Sequence, residues 1–315
     1  MKKIALILLR IAISLGIVIF LMRRVNPPLM LKIIRGLDLK FFLWGFFILL
    51  ASYSLGIFRW KMLIGAMGLN PPISRIITAT CGGLFFNTFL PSTIGGDVFR
   101  TMDLFSHTKQ GSKILASVFL DRLSGFIGLM TIAFFSLLVG FRLINDKVII
   151  LSVAVLFCIF LLIFAVVFSR RIFKKIILLV ELLKLREFSD RLYKFHTAIV
   201  ELRANPRVLL YNLFISLLIQ AASVFSFYFF GLSLHINLRI IHFLVVVPVI
   251  GAITVLPISI AGLGLRDSST IIYLGRFGVA KEAAFSLSLL VFFLTTIIGI
   301  LGGLIYVITL HNRRI

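Results

Sequence analysis

Long apolar runs, each close to the length that an α-helix needs to cross a bilayer, dominate this chain. They predict membrane segments at 4–22, 41–58, 76–95, 114–140, 148–169, 208–232, 242–263 and 283–310, with a shorter mixed segment at 266–279. Only 14% of the residues are charged, against roughly a quarter in a soluble protein. Barrel strands would alternate over about ten residues, so we predict an all-α polytopic membrane protein with about six to eight transmembrane helices.

The charge is strongly basic, with 33 Lys and Arg against 11 Asp and Glu. In a membrane protein, basic loops set the topology and contact anionic headgroups, so we expect no nucleic-acid partner. The segment 170–207 is rich in Lys and Arg, and its apolar residues recur at helical spacing. It predicts an amphipathic, cytoplasmic stretch on the surface of the inner membrane, in contact with anionic headgroups. A partner-binding surface is the alternative. Arg313 and Arg314 place the carboxyl terminus on the same side.

One sequence motif occurs twice in the chain. Residues 88–100 and 254–266 share the skeleton T-x-L-P-x-x-I-x-G-x-x-x-R, at an offset of 257 − 91 = 166. Each copy puts a helix-breaking proline, Pro91 or Pro257, and a glycine into an apolar segment, and ends on an arginine. Interrupted helices at matching places in two halves are the sequence feature that marks the binding site of a membrane carrier.

The repeat predicts how the halves are arranged. We expect one membrane domain, 1–315, with repeats at about 41–140 and 208–310 joined by 170–207. Because an odd number of crossings separates the motif copies, the copies enter the bilayer from opposite faces, which makes the repeat inverted. One point stays open. If 76–95 is re-entrant, the amino terminus lies inside, and if 76–95 crosses fully, it lies outside.

The motif has a chemical interpretation. Gly95 and Gly96 let the backbone present unpaired N–H groups, for which an anionic oxygen is a good partner. Arg100 and Arg266 add full charge and a fork that fits phosphate. Together these groups predict a cradle for a phospholipid or polyprenyl-phosphate headgroup. The alternative is structural: kinks, close-packing points and arginines that snorkel at helix ends.

Aspartates lie close to these arginines. Asp97 and Asp267 could form salt bridges that keep the site neutral until a substrate competes, or they could titrate and couple transport to protons. The pair Asp121–Arg122 begins a long apolar run and could be interfacial or line a cavity. The histidines are scattered without cysteine partners, and no phosphate-binding loop or nucleophile elbow is visible. We therefore expect no catalytic residues, no metal and no cofactor, and a transporter rather than an enzyme.

Three stretches, in this order and spacing, resemble the lysylphosphatidylglycerol synthase transmembrane-region family, whose members are flippase-like and similar to the membrane part of the multiple peptide resistance factor. They are Asn87-x-x-Leu90-Pro91-x-x-x-Gly95-Gly96-Asp97-x-x-Arg100, Asp121-Arg122-Leu123-x-Gly125 and Pro257-x-Ser259-x-x-Gly262-Leu263-Gly264-x-Arg266-Asp267. The resemblance implies a helical fold with two re-entrant elements and a role in moving lipids between leaflets. It also implies aminoacylated phospholipids or lipid-linked intermediates of envelope assembly as substrates.

The resemblance extends to the site and has departures. It implies that the motif residues bind substrate, namely Asn87, Pro91, Gly95, Gly96, Asp97, Arg100, Asp121, Arg122, Pro257, Gly262, Gly264, Arg266 and Asp267. Ala261 stands where a second glycine is expected, and Asp267 where the family tends to have Glu. No aminoacyl-transfer domain follows residue 315, so we expect that this chain does not synthesise lysyl lipid itself.

Three functions follow as hypotheses. The first is a lipid translocase of the inner membrane that moves an anionic lipid, aminoacylated or linked to polyprenyl phosphate, between the leaflets. The second is an integral-membrane transferase in which Asp97 or Asp121 would act with a divalent ion on a lipid phosphate. The third is a non-catalytic scaffold that docks envelope-biosynthesis proteins through 170–207.

Overall fold

The computed structural model describes residues 20–23, 25–89, 95–140, 144, 146–169, 173, 177–178, 197, 205–255 and 262–311. Its main helices are α1 (Pro27–Arg35), α2 (Leu39–Ala66), α3 (Ile73–Phe89), α4 (Gly95–Thr108), α5 (Gly111–Gly140), α6 (Lys147–Phe168), α7 (Pro206–Ser233), α8 (Ile240–Thr254), α9 (Leu265–Gly275) and α10 (Lys281–His311). The predicted sites Pro91 and Pro257, and nearly all of 4–22 and 170–207, lie outside the described residues.

The predicted class, an all-α polytopic membrane protein, is confirmed. Within the described residues, four helices are long and apolar enough to cross a membrane: α2, α5, α7 and α10. Two shorter apolar stretches, Lys147–Leu162 of α6 and α8, add to them. These helices contain the segments that the sequence placed at 41–58, 114–140, 208–232 and 283–310.

Both motif copies interrupt a helix, as expected, but the boundaries differ from the prediction. The single segment predicted at 76–95 ends as α3 at Phe89, and α4 begins at Gly95. Arg100 therefore lies on the helix α4 and not in a loop. Asp97 in the first turn favours a helix start there, because its negative charge interacts favourably with the positive end of the helix dipole. The segment predicted at 242–263 likewise ends at Thr254, and α9 forms the expected second limb.

The first interruption folds into a tight helical hairpin. A Cβ atom on Gly96 of α4 would collide with the carbonyl oxygen of Gly83 and with the side chain of Asn87, both on α3. The Gly96 N–H donates to the Asn87 side-chain oxygen at 2.9 Å. Only glycine permits this approach, so the spacing of Gly83, Asn87 and Gly96 sets the geometry of the hairpin.

At the second interruption, glycines with positive φ angles form the turn. Gly262 and Gly264 have φ angles of +74° and +83°, in the left-handed region that favours glycine. A Cβ on Gly262 would collide with the Thr254 side chain, so the turn folds back onto the end of α8. The Gly264 N–H then donates to an Asp267 carboxylate oxygen at 2.7 Å, which caps α9.

Two series of helices have matched lengths. Helices α2 to α5 have 28, 17, 14 and 30 residues, and helices α7 to α10 have 28, 15, 11 and 31. Their first members run antiparallel. The Ser226 hydroxyl of α7 donates to the Gly45 carbonyl of α2, and the Ser52 hydroxyl of α2 donates to the Ile219 carbonyl of α7, so residue numbers rise along α2 as they fall along α7.

The last helix of each series packs on the first short helix of the other. A Cβ on Gly302 of α10 would lie 2.8 Å from the Cys81 carbonyl of α3, and one on Gly251 of α8 would lie 3.3 Å from Leu129 of α5. The two halves therefore interlock rather than lie side by side. The largest apolar core forms around Phe230 of α7 and packs α7 against α8, α9 and α10.

Candidate functional site

A cavity of about 330 Å³ lies beside the first hairpin, between α2, α3, α4, α5 and α7. Among the described residues, the charged side chains that line it are Arg59, Asp97, Arg100, Asp121 and Arg122. They come from three helices: Arg59 from α2, Asp97 and Arg100 from α4, and Asp121 and Arg122 from α5. We call these five residues the cavity cluster.

The cavity cluster is a chain of alternating charges. Asp121 accepts from Arg59 Nε at 2.8 Å and lies 3.4 Å from Arg100 Nη2. Asp97 accepts from Arg100 Nη2 at 2.7 Å and from Arg122 Nε at 2.5 Å. Three arginines face two aspartates, which leaves one formal positive charge in excess. Charges inside a membrane protein are costly unless paired, so this excess favours an anionic ligand.

Neighbouring side chains hold two of the arginines in place. The Arg59 guanidinium donates to Ser216 of α7 at 3.1 Å. The Arg100 guanidinium lies 4.6 Å from the centroid of the Trp60 ring, a cation–π contact. Trp60 is fully buried and donates from Nε1 to Ser117 at 3.1 Å, which fixes the ring. Arg100 thus has a defined position even without a ligand.

The uncharged wall of the cavity joins both motif copies. Asn87 and Gly83 come from α3, which leads into the first copy, and Val255, which follows α8, comes from the second copy. A Cβ on Gly83 would lie 2.6 Å from the Arg100 side chain, so glycine here leaves room for that arginine. Tyr53 of α2 completes this part of the wall.

One predicted feature of the cavity is wrong. The sequence suggested that Gly96 presents an unpaired N–H to a ligand, but that N–H donates to Asn87 within the hairpin. A backbone N–H left unpaired in a dry setting is costly, and Asn87 removes that cost without a ligand. Recognition of an anion in the cavity therefore depends on the arginine side chains.

The second motif copy forms a separate buried cluster. Arg266 Nε donates to the Ser288 hydroxyl at 3.1 Å, and Ser288 donates to Asp267 Oδ1 at 2.6 Å. Arg266 Nη2 lies 3.5 Å from Asp267 Oδ1, and the guanidinium stacks over Phe292 with its carbon 5.3 Å from the ring centroid. Asp267 is fully buried and Arg266 is only 8% exposed. We call Arg266, Asp267 and Ser288 the buried cluster.

Comparison with known proteins identifies the family. The family described as "Lysylphosphatidylglycerol synthase TM region" matches residues 7–303, which is most of the chain.

The chain belongs to this family.

A curated relative agrees with this membership: a UPF0104 membrane protein of Pyrococcus horikoshii is 23% identical over 341 residues, which cover all of this chain and 98% of the relative. No solved structure matches the chain significantly.

In this member of the family, the structure brings together five of the predicted site residues around the cavity: Asn87, Asp97, Arg100, Asp121 and Arg122. Gly96 permits the close approach of α4 to α3, and Gly262 and Gly264 supply the left-handed backbone before α9, whereas Gly95 is the first residue of α4. Of the two alternatives for Asp121–Arg122, the cavity-lining one is present. The expected pairing of arginine with aspartate occurs in both copies. Arg266 and Asp267, however, are not among the residues that line the cavity.

Sequence reasoning missed Arg59, Tyr53, Trp60 and Gln220. The predicted span 41–58 stopped one residue before Arg59, whereas α2 continues to Ala66. An arginine inside a membrane helix is a functional candidate by default, so Arg59 carried a usable signal. Gln220 of α7 carried a weaker sequence signal. Its side-chain amide donates to the Gly125 carbonyl at 3.1 Å.

The carboxylates of the cavity cluster are occupied by arginines. Asp97 and Asp121 each contact two guanidinium groups. In the described part of the chain, no group of three or more His, Cys, Asp or Glu side chains is placed to hold a metal ion.

Proposed function

We propose that this protein is a lipid translocase that moves a phosphate-bearing lipid between the leaflets of the membrane. The observation that carries the proposal is the cavity cluster: three arginines and two aspartates, with one positive charge in excess, inside a bundle of membrane-spanning helices. The planar guanidinium of an arginine can donate two parallel hydrogen bonds to the oxygens of a phosphate group. The headgroup would enter the cavity while the acyl chains stay in the lipid.

The ion pairs suggest how a headgroup binds and leaves. Asp97 accepts from both Arg100 and Arg122, in the way that a phosphate would. A phosphate that enters the cavity takes over one or both arginines from this carboxylate. When Asp97 takes them back, the phosphate is released. Competition of this kind keeps the arginines paired at every stage, so a strongly desolvated free charge is avoided.

An inverted repeat would supply the movement. Three observations support two halves related by a twofold axis in the membrane plane. The helix lengths match, α2 packs antiparallel to α7, and α10 packs on α3 as α5 packs on α8. In such carriers, one half rocks against the other around a site near the bilayer midplane. We assign the repeats to about 41–140 and 208–310, with the two hairpins re-entrant from opposite leaflets.

The family description and the arginines of the cavity cluster support two classes of lipid as substrates. Aminoacylated phospholipids and polyprenyl-phosphate-linked lipids both carry the phosphate that the arginines would bind. We place the protein in the inner membrane with 170–207 and the carboxyl terminus in the cytoplasm, because both are basic. Anionic headgroups would be the partners of 170–207.

Leaflet transfer in proteoliposomes tests this function. With fluorescent phosphatidylglycerol, we expect Arg100→Gln to slow transfer at least about tenfold, because the loss of one charge-assisted phosphate contact weakens binding by about 1.5–3 kcal/mol. Arg276→Gln is the matched control, since Arg276 also pairs with an aspartate, Asp146, but is 43% exposed and outside the cavity. Equal transfer by wild type, Arg100→Gln and protein-free vesicles would refute the function.

A further inference from the structure

The short helix α1 lies where three membrane-spanning helices have an end. The N–H of Asp38, which follows α1, donates at 2.9 Å to the carbonyl of Ser233, the last residue of α7. Met30 of α1 packs on Phe285 in the second turn of α10. The start of α2, the end of α7 and the start of α10 therefore surround α1, which places it at one edge of the membrane-spanning bundle.

The side chains of α1 form three faces that follow one another around the helix. Successive residues of an α-helix are about 100° apart. Met30 is buried against the protein. The next face around the helix is apolar, with Leu31 and Ile34 exposed by 49% and 40%. Beyond it lie Lys32 and Arg35, which are also exposed. This order suits a helix in the membrane interface, with its apolar face in the acyl chains and its basic face at the headgroups.

The basic face of α1 has no carboxylate partner within the described residues, because neither Lys32 nor Arg35 forms an ion pair there. The basic segment 170–207 cannot share the leaflet of α1. It leads into the first turn of α7, whereas α1 lies at the last, and the 28 residues of α7 span about 42 Å. The positive-inside bias accounts for basic residues on only one side of the membrane. The basic face of α1 therefore needs a partner of its own.

We propose that α1 is an interfacial helix that binds anionic phospholipid headgroups, at the membrane face opposite to 170–207. Leu31 and Ile34 enter the acyl-chain region, and the two basic side chains contact the phosphates. With 170–207 in the cytoplasm, as proposed above, this face is the outer leaflet. Ile271 of α9 packs against the same apolar cluster as Met30, so the bound lipids lie beside the second hairpin.

Quenching by brominated lipids tests the orientation of α1. The full-length protein with Cys81→Ala and Cys158→Ala carries bimane on Ile34→Cys and is reconstituted into vesicles that contain phosphatidylcholine with brominated acyl chains. Bromine on the chains quenches a probe that lies in the bilayer. We expect quenching at least about twofold stronger than for a probe on Pro28→Cys, which lies on the basic face of the same helix. Equal quenching of the two probes would overturn the proposal.

The same Ile34 probe tests the preference for anionic lipid. At equal mole fractions, brominated phosphatidylglycerol should quench it at least about twofold more than brominated phosphatidylcholine, because each basic residue attracts an anionic surface. Lys32→Gln/Arg35→Gln should abolish this difference, and high salt should reduce it. Arg276→Gln is the matched control, since Arg276 is also exposed but pairs with Asp146, and it should keep the difference. No preference in the wild type, or a preference that survives in Lys32→Gln/Arg35→Gln, would refute the headgroup site.

A charge-conserving variant guards against a merely structural effect. Lys32→Arg/Arg35→Lys keeps both charges and should keep the preference, and its loss there would contradict recognition by charge.

Leaflet transfer separates this inference from the proposed function. Arg100→Gln should slow transfer and leave the phosphatidylglycerol preference at α1 unchanged. A preference that depends on Lys32 and Arg35, together with no transfer by the wild type, would refute the translocase and keep the headgroup site. Transfer that is lost in Arg100→Gln, together with no preference at α1, would do the reverse.

Discussion

The two copies of the motif have the same backbone plan but different surroundings. In the first copy, Arg100 lines a cavity and shares two aspartates with two other arginines. In the second copy, Arg266 is buried, its Nε donates to the hydroxyl of Ser288, and its ion pair with Asp267 is long, at 3.5 Å. The break in the helix and the arginine recur at the offset of 166, whereas the network around the arginine does not.

The position of the acid explains much of the difference. In the first copy, Asp97 lies three residues before Arg100, and side chains at that spacing meet on one face of a helix at 2.7 Å. In the second copy, Asp267 follows Arg266 directly, and adjacent residues point in different directions. Asp267 therefore caps α9 through Gly264, and its distance to Arg266 Nη2 is 3.5 Å. A repeat of sequence is thus not a repeat of chemistry.

The largest contrast should appear when Asp121, an aspartate of the cavity cluster that two arginines share, is removed. Asp121→Asn leaves Arg59 and Arg100 short of an acceptor, and breaking such a buried pair costs about 3 kcal/mol or more. In the second copy, Ser288→Ala removes a neutral hydroxyl that bonds to Arg266 and Asp267 but leaves their ion pair in place, so it should cost less, about 1.5–3 kcal/mol. Denaturant unfolding in detergent micelles measures both. Equal losses of unfolding free energy in Asp121→Asn and Ser288→Ala would contradict a larger contribution of the cavity cluster to stability.

A smaller effect is expected from the turns. Gly96→Ala forces a Cβ into the Gly83 carbonyl and should destabilise the protein by about 2 kcal/mol through overpacking. Gly262→Ala should cost a similar amount, because it adds a collision with Thr254 to a left-handed backbone. Gly56→Ala is the control, since a Cβ there meets no atom within 4 Å. If thermal unfolding of Gly96→Ala matches that of Gly56→Ala, the tight hairpin is incorrect.

The smallest effect should distinguish the two aspartates in ligand binding. Asp97→Asn removes the carboxylate that competes for Arg100 and Arg122, so phosphatidylglycerol should bind about tenfold more tightly, which is 1.4 kcal/mol, and leave more slowly. Asp267→Asn should leave the affinity almost unchanged, because Asp267 does not line the cavity. Trp60 fluorescence titration measures both constants. Weaker binding by Asp97→Asn would contradict competition between the carboxylate and the phosphate.

Sequence reasoning recovered the fold class and the interruptions but not the environment of each arginine. Hydropathy fixes membrane helices because lipid allows few alternatives, and proline with glycine marks a break in any setting. The pairing of Arg59 with Asp121 joins residues 62 positions apart. Such a contact depends on the packing of α2 against α5, which no local pattern encodes. The partner of the Gly96 N–H was unpredictable for a similar reason, since it requires the hairpin to close on Asn87.

The central claim is that the cavity cluster binds the phosphate of a lipid headgroup. An experimental structure of the protein in nanodiscs with phosphatidylglycerol tests it most directly. We expect a phosphate oxygen within about 3 Å of the Arg100 guanidinium, with the Asp97 carboxylate moved away from Arg100 or Arg122. A phosphate bound elsewhere, with all four ion pairs of the cavity cluster intact, would contradict it.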